Sequence, residues 1–343
     1  MRTFRCECGT RVFFDNTQCL TCQRELAFLP DRGVLAPIEA VTEGRFRVGD
    51  AEYRKCSNNV HEGVCNWMIP PGDEHELCQA CRLNNVIPDL SNPENRRLWA
   101  EVEKAKRRLV YGLNRMRLPL VPKSDDPKTG LAFDIKSDTE TSRMLTGHSE
   151  GLITLNVAEA DPVERERMRV AMNERYRTLL GHFRHEVGHY YWERLIAGTP
   201  ELEQYRRLFG DESRDYSEAL KAHYAAGPPP NWPDSFISAY AAAHPWEDWA
   251  ETFAHYLHMT DTLETAQSFG FTSEIPARKS LASISEFDLL MQEWVELTVA
   301  LNALNRSMGL PDAYPFAISP TACAKLGLVH RVIRERKALA STH

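Results

Sequence analysis

The pattern of apolar and polar positions predicts several kinds of element behind the first 90 residues. Residues 91–113 repeat apolar side chains at helical spacing, after a linker punctuated by proline, asparagine and serine, and they predict an amphipathic helix. Residues 151–159 alternate apolar and polar side chains, which predicts a β-strand. Asp161 followed by Pro162 is a typical helix start, and the pattern predicts a helix that ends close to the sequence LLG.

A second helical pattern begins near residue 178 and runs through the sequence GHFRHEVGHYYWERL. The segment GPPPNWP, residues 227–233, interrupts the helical pattern. Residues 235–259 are predicted to be mostly helical, with an interruption at the His244–Pro245 bond, and more helices are expected to follow. The chain therefore reads as α+β, with a mainly helical part and a small sheet.

Cysteines are concentrated at the front of the chain, where eight of the nine lie before residue 82. Short pairs of thiols in a cytosolic chain favour metal binding over disulfides. Such a segment has few large apolar residues, and a bound zinc ion would contribute on the order of 10 kcal/mol to its folding. The first predicted zinc site comprises Cys6, Cys8, Cys19 and Cys22.

A second predicted zinc site comprises Cys56, Cys65, Cys78 and Cys81. Cys56 and Cys65 are far apart for a single tight turn, so replacement of one thiol by His61 or His75 stays open. Four thiolates leave no open coordination position, and we expect both zinc ions to be structural. We therefore assign residues 1–90 to a tandem zinc-ribbon region.

Charge argues against nucleic acid as a partner. The formal net charge is −7, and residues 1–90 carry ten Lys and Arg against thirteen Asp and Glu, whereas a surface that follows phosphates should be basic. No apolar run approaches the roughly 18–20 residues of a membrane helix, and the N-terminus lacks the apolar core of a secretory signal. These features predict a cytoplasmic protein without a membrane partner.

The segment HEVGH carries the clearest chemistry. His185 and His189 are four residues apart, so both imidazoles lie on one helix face and can bind one metal ion. Glu186 lies beside the first histidine and can act as a general base, which completes the HExxH arrangement of zinc hydrolases. Trp192 and Leu195 occupy the positions where a metzincin would have Gly and His, so that class is excluded.

The third protein ligand is expected from the helix that follows Pro245. Glu247 and Glu251 are four residues apart on one predicted helix face, among Trp246, Trp249 and Phe253. Carboxylates in such apolar surroundings need a partner. One can bind zinc, and the other can accept the spare ring N–H of a ligand histidine. The pattern alone does not decide which glutamate does which.

These two motifs together resemble the gluzincin clan of metallopeptidases, and residues 240–253 are similar to the catalytic domain of anthrax lethal factor. The resemblance implies that Glu247 is the zinc ligand, that Glu251 orients a histidine, and that Tyr240 donates a hydrogen bond to the developing oxyanion. A wider resemblance covers nearly the whole chain and points to a bacterial family of zinc metallopeptidases with an N-terminal zinc ribbon. It rests on residues 65–90, 151–162, 176–196 and 244–258.

The resulting expectation is a zinc metallopeptidase domain over residues 95–343 that hydrolyses peptide or amide bonds, with one catalytic and two structural zinc ions. A zinc-bound recognition module without hydrolytic activity is the alternative. Strand 151–159 is expected either to pair with an extended substrate through a free edge or to be an ordinary internal strand. The sequence assigns no role to His182, His244, His255, His258 and Cys323, and it leaves the oligomeric state open.

Overall fold

A computed structural model describes residues 1–138, 144, 146–171, 177–271 and 284–340. The chain divides into two compact units, one of residues 1–115 and 119–168 and one of residues 116–118 and 169–343. The first contains small sheets and the second is helical, so the chain is α+β, as predicted. Among the described residues, no helix combines the length and the apolar character that crossing a membrane requires.

The first unit is built from short antiparallel ribbons, a mixed sheet and one long helix. Strands β1 and β2 pair, β3 and β4 pair, and β5 to β8 form an antiparallel meander. The elements in chain order are β1 (Phe4–Arg5), β2 (Arg11–Val12), β3 (Leu26–Leu29), β4 (Val34–Pro37), β5 (Glu39–Thr42), β6 (Arg45–Val48), β7 (Ala51–Lys55), α1 (Ser57–Val60), β8 (Met68–Ile69), β9 (Asn84–Val86), α2 (Pro93–Arg115), β10 (Ala132–Lys136), β11 (Gly147–Ser149), β12 (Leu152–Asn156) and the start of α3 (Pro162–Ala171).

Aromatic packing supplies a core that the cysteine segments alone would lack. The Phe28 ring lies 4.8 Å from Trp67 and 5.0 Å from Phe14, and Tyr111 of α2 lies 5.2 Å from Phe14. These rings come from the ribbons and from α2, whose predicted helical periodicity is confirmed. The ribbon segments therefore fold against the long helix as part of one hydrophobic core.

The predicted strand is confirmed over Leu152–Asn156 as β12, whereas Val157–Ala160 form a 3₁₀ helix, and a free edge is not confirmed. In the sheet order β11–β12–β10–β9, β12 pairs in parallel with β10 on one side and antiparallel with β11 on the other. The expectation that this strand could pair with a substrate is therefore wrong, because neighbours use its backbone groups on both edges. The sequence pattern did not reveal β11, which has only three residues.

Helix α3 begins where the sequence predicts, with the Asp161 carboxylate accepting the N–H of Val163 at 2.8 Å. Its described part ends at Ala171, and the predicted continuation falls on residues 172–176, outside the described residues. The second unit then contains α4 (Leu179–Leu195), α5 (Glu201–Phe209), α6 (Tyr216–Ala226), α7 (Pro245–Phe269), α8 (Ile284–Ser307) and α9 (Pro320–Ala340).

A buried ion pair ties α7 to α9. Lys325 donates to the Asp248 carboxylate at 2.5 Å and to the Ser235 carbonyl at 2.7 Å, and both charged side chains are almost fully buried. Burial raises the pKa of Asp248 to about 7, although the charge of Lys325 opposes that rise. This pair fixes the first turn of α7, where the acidic residues lie.

Candidate metal centre

Helix α4 carries the HEVGH segment, and Thr178, the residue before it, caps its N-terminus. Thr178 is extended, and its hydroxyl accepts the N–H of Gly181 at 2.9 Å. The helix then continues through a run of buried residues, so His185 and His189 project from one face, one turn apart. Both imidazoles are buried.

Helix α7 starts at the bond that the sequence marked as an interruption. His244 is its cap: Nδ1 accepts the N–H of Trp246 at 3.1 Å, so Nε2 bears the proton and donates to the Arg214 carbonyl at 3.2 Å. Pro245 occupies the first helical position, where its missing N–H costs nothing. Glu247 therefore lies in the first turn, one turn before Glu251.

The two helices touch at Gly188, where the space between them is too small for a side chain. A Cβ atom on Gly188 would lie 2.9 Å from the Ala250 Cα. Trp249 donates its indole N–H to the Gly188 carbonyl at 2.9 Å, and the Tyr191 ring stacks on Phe253 at 5.4 Å. This close approach brings the histidine face of α4 against the glutamate face of α7.

Three side-chain atoms from these faces converge. His185 Nε2 lies 3.1 Å from Glu247 Oε2, His189 Nε2 lies 3.5 Å from that oxygen, and the two nitrogens are 3.2 Å apart. Ligand atoms about 2.0–2.1 Å from one tetrahedral zinc ion are about 3.4 Å from each other. The spacing and the donor set of two imidazoles and a carboxylate therefore fit a zinc ion with one open position.

Glu251 does not contribute a ligand atom to this group but hydrogen-bonds to His185. Its Oε1 accepts from His185 Nδ1 at 2.7 Å, and its Oε2 accepts from the Ser238 hydroxyl at 2.6 Å. Burial would raise the pKa of Glu251, but the hydrogen bond and charge of His185, together with His255 and Ser238, outweigh it and lower that pKa to about 2. With Nδ1 donating to this carboxylate, Nε2 of His185 is left to bind metal.

Glu186 is buried beside the ligand atoms and has one uncommitted oxygen. Its Oε1 lies 3.2 Å from His182 Nε2, whereas Oε2 makes no hydrogen bond with any residue that the structure describes. Burial would raise the pKa of Glu186, but the contact with His182 and the nearby imidazole charges lower it. The carboxylate is therefore ionised and able to accept a proton.

Two tyrosines border the site, and sequence reasoning singled out only one of them. The Tyr240 ring centroid lies 6.0 Å from that of His185, and burial together with the Glu247 charge raises the Tyr240 pKa. Tyr216, the first residue of α6, donates its hydroxyl to Glu247 Oε1 at 2.5 Å. No feature of the sequence pattern indicates this contact, because it joins residues that are 31 positions apart.

Two histidines of α7 lie outside the group. His255 Nδ1 is 2.8 Å from the Tyr314 hydroxyl, and its ring packs edge-on against Phe316. The His258 ring packs against Trp294 and Tyr314. Their contacts are with α8 and the segment before α9, so they do not enter the metal-binding group.

The first cysteine set forms a compact group of four sulfurs. Cys6 and Cys22 have their Sγ atoms 3.6 Å apart, and Cys8 and Cys19 do as well. Four thiolates about 2.3 Å from one tetrahedral ion are about 3.8 Å from each other, whereas bonded sulfurs are about 2 Å apart. The spacing fits a zinc ion and does not fit a disulfide.

The second set is the more buried of the two. Cys65 and Cys78 have their Sγ atoms 3.7 Å apart, and all four thiols of the set are buried. His75 is instead 2.6 Å from the Asp73 carboxylate, and His61 is exposed. The structure therefore brings together the four cysteines rather than a set that includes a histidine.

Comparison with protein families matches both parts of the chain. A family model described as "Putative zinc-binding metallo-peptidase" matches residues 95–332. The chain belongs to this metallo-peptidase family. A second model, described as a zinc-ribbon domain, matches residues 3–92 of this family member. Zinc is the metal that both descriptions name, in agreement with the two groups of four cysteines.

Close relatives of this metallo-peptidase family member occur in mycobacteria. An uncharacterised protein of Mycobacterium bovis and one of Mycobacterium tuberculosis are each 44% identical over 339 residues, which is 98% of this chain and 96% of the relative. No solved structure matches the chain. The similarity to lethal factor therefore stays a prediction.

Proposed function

We propose that this protein is a zinc metallopeptidase of the gluzincin type that hydrolyses peptide bonds in peptides or proteins. His185, His189 and Glu247 would hold the catalytic zinc, and residues 95–343 would form the peptidase domain. The observation that carries the proposal is the convergence of these three ligand atoms from two helices at 3.1–3.5 Å. The family assignment supports the reaction class.

When bound, the zinc would lower the pKa of a water molecule and polarise the substrate carbonyl. Glu186 is the general base: its uncommitted Oε2 accepts a proton from the attacking water. The same carboxylate then delivers that proton to the leaving amine, so the amide C–N bond breaks without releasing an unstable amide anion. His182, 3.2 Å from the other oxygen, keeps this carboxylate turned toward the site.

Tyr240 supplies the donor for the developing oxyanion. Its phenol stays protonated at neutral pH because burial and the Glu247 charge raise its pKa. A protonated phenol beside His185 can donate a hydrogen bond to the carbonyl oxygen as negative charge develops there. Glu251 keeps His185 in the tautomer that binds metal.

The two cysteine groups are proposed to hold structural zinc in the region of residues 1–90. Four thiolates fill the coordination sphere of the ion, so neither site has a position for water or substrate. Their contribution is to folding, and the ligands are Cys6, Cys8, Cys19 and Cys22 in the first site and Cys56, Cys65, Cys78 and Cys81 in the second.

A fluorogenic peptide library tests the proposed reaction with the purified full-length protein. The zinc-loaded protein should cleave a subset of peptides, a chelator should stop cleavage, and added zinc should restore it. Glu186→Gln should retain zinc and lose about 10²–10⁴-fold in turnover, because general base catalysis typically contributes that factor.

Glu193→Gln is the matched control, since it makes the same change on the same helix outside the group of ligand atoms. It should cleave as the unaltered protein does. Cleavage by Glu186→Gln at the unaltered rate would show that Glu186 is not the base. Zinc-loaded protein that binds peptides but cleaves none would indicate a recognition module instead.

A further inference from the structure

We propose that Tyr216 is a positioning residue that holds Glu247 as a one-oxygen metal ligand. The two oxygens of this carboxylate have different surroundings. Oε2 faces the two imidazole nitrogens at 3.1 and 3.5 Å, and Oε1 accepts the Tyr216 hydroxyl at 2.5 Å. This inference rests on the proposed zinc site and adds a residue that the sequence motifs do not contain.

The hydrogen bond decides how many oxygens Glu247 can offer. A carboxylate can bind a metal through one oxygen or through both. With Oε1 engaged by a phenol and Oε2 facing both imidazoles, the carboxylate would bind the metal through Oε2 and occupy one coordination position. Two imidazoles and one oxygen then leave the fourth tetrahedral position for water, as a hydrolytic zinc site requires.

Tyr216 is itself held against the turn that it positions. Its ring packs edge-on against His244 at 5.3 Å and Trp246 at 5.6 Å, and both belong to the start of α7. Trp246 in turn lies 4.0 Å from the ring of the ligand His189. The Asp215 carboxylate caps α6 by accepting the N–H of Glu218 at 2.8 Å, which fixes the helix end that carries Tyr216.

The His244 cap joins the same two segments from the other side. Its Nε2 donates to the carbonyl of Arg214, two residues before Tyr216, while its Nδ1 caps α7. The start of α6 and the start of α7 are therefore connected by the His244 ring, which hydrogen-bonds to the Arg214 carbonyl and to the Trp246 N–H. This arrangement aims the phenol at Glu247 without relying on a flexible side chain.

Tyr216→Phe tests the role, because it removes the hydroxyl and keeps the ring packing. The measurement is zinc retained per chain across a series of chelator concentrations, with His189→Ala defining the zinc held by the cysteine sites alone. Affinity at the third site should fall about 10–100-fold, the usual cost of losing a partner that orients a ligand. The readout is metal binding, so it remains decisive if no peptide is cleaved.

Tyr224→Phe is the matched control, since Tyr224 lies on the same helix and is 62% exposed. It should leave zinc affinity unchanged. Unaltered zinc affinity in Tyr216→Phe would overturn the proposal. A raised KM in that variant with unaltered zinc affinity would also overturn it, and would assign Tyr216, which is 37% exposed, to substrate contact.

Discussion

At the scale of single residues, two acidic side chains of the site, Glu247 and Glu251, each have two oxygens with different partners. Glu247 divides its oxygens between the imidazoles and Tyr216, and Glu251 divides its own between His185 and Ser238. Neither carboxylate can rotate without breaking a contact. The geometry of the proposed ligands is therefore set without the metal, which would lower the cost of ordering the site on binding.

Replacing Tyr240 by phenylalanine tests its role in stabilising charge in the transition state. Turnover should fall about 10²–10³-fold, the typical loss for one oxyanion donor, while zinc content stays at the unaltered level. Steady-state kinetics on the best library peptide, together with metal analysis, measures both. Equal turnover in the two proteins would remove Tyr240 from the mechanism.

Ser238 connects that tyrosine to the proposed metal ligands. Its hydroxyl donates to Glu251 and accepts the N–H of Ala241, within the short helical turn that carries Tyr240. The orientation of His185 and the position of Tyr240 therefore depend on one buried serine. Such a contact is invisible in the sequence, because serine at this position has no distinctive spacing.

At the scale of helices, the site exists because α4 and α7 approach to backbone contact. Gly188 is the residue that permits this approach, since no side chain separates it from Ala250. Four-residue spacing on each helix is a local property, and the sequence predicts it well. Which faces meet depends on packing between residues that are about 60 positions apart. The sequence suggested this pairing only through two carboxylates that need a partner, and the resemblance to known metallopeptidases indicated which of the two is the proposed ligand.

Gly188→Ala should therefore destabilise the protein by about 1–3 kcal/mol, the usual cost of forcing extra atoms into a packed core. Thermal unfolding of the zinc-loaded protein measures the change. Gly147→Ala is the control, because a Cβ atom at Gly147 meets nothing within 4 Å. A Gly188→Ala protein as stable as the unaltered one would mean that the helices can separate without cost.

Two half-buried histidines of α7 predict a loss of stability in acid. Burial lowers the pKa of His255 to about 4 and that of His258 to about 3, below the ordinary value of about 6.5. Below about pH 6.5, these two histidines therefore bind protons in the unfolded chain but stay neutral in the folded chain. Each ring should account for about 2 kcal/mol of stability lost between pH 6.5 and 5.

Urea unfolding of His258→Leu at pH 7.5 and pH 5 tests this linkage. Leucine keeps an apolar side chain against Trp294 and Tyr314 and does not titrate. The stability difference between the two pH values should shrink by about 2 kcal/mol relative to the unaltered protein. An unchanged difference would show that His258 takes up its proton equally in both states.

At the scale of the whole molecule, three groups of ligand atoms predict about three zinc ions per chain. Metal analysis should give one ion fewer for His189→Ala and one fewer for Cys78→Ala. Only the cysteine variant should unfold part of the chain, because a structural zinc contributes to folding outright. Three zinc ions in His189→Ala would contradict the assignment of that site.

The sequence predicted the parts of this molecule whose signals are local. Cysteine spacing marked both four-sulfur groups, and the HEVGH spacing marked one face of α4. It did not predict β11, which covers an edge of β12, or Tyr216 and Ser238, which reach the site from distant segments. Those contacts depend on tertiary packing, which leaves no period or motif in the chain.

The unequal burial of the two cysteine groups has a consequence for oxidative stress. Cys8 is exposed and Cys22 is partly so, whereas every thiol of the second group is buried. Peroxide attacks accessible thiolates first and converts them to sulfenic acids or disulfides, which bind zinc poorly. If both groups hold zinc as proposed, oxidation should release metal from the first group while the second group keeps its ion.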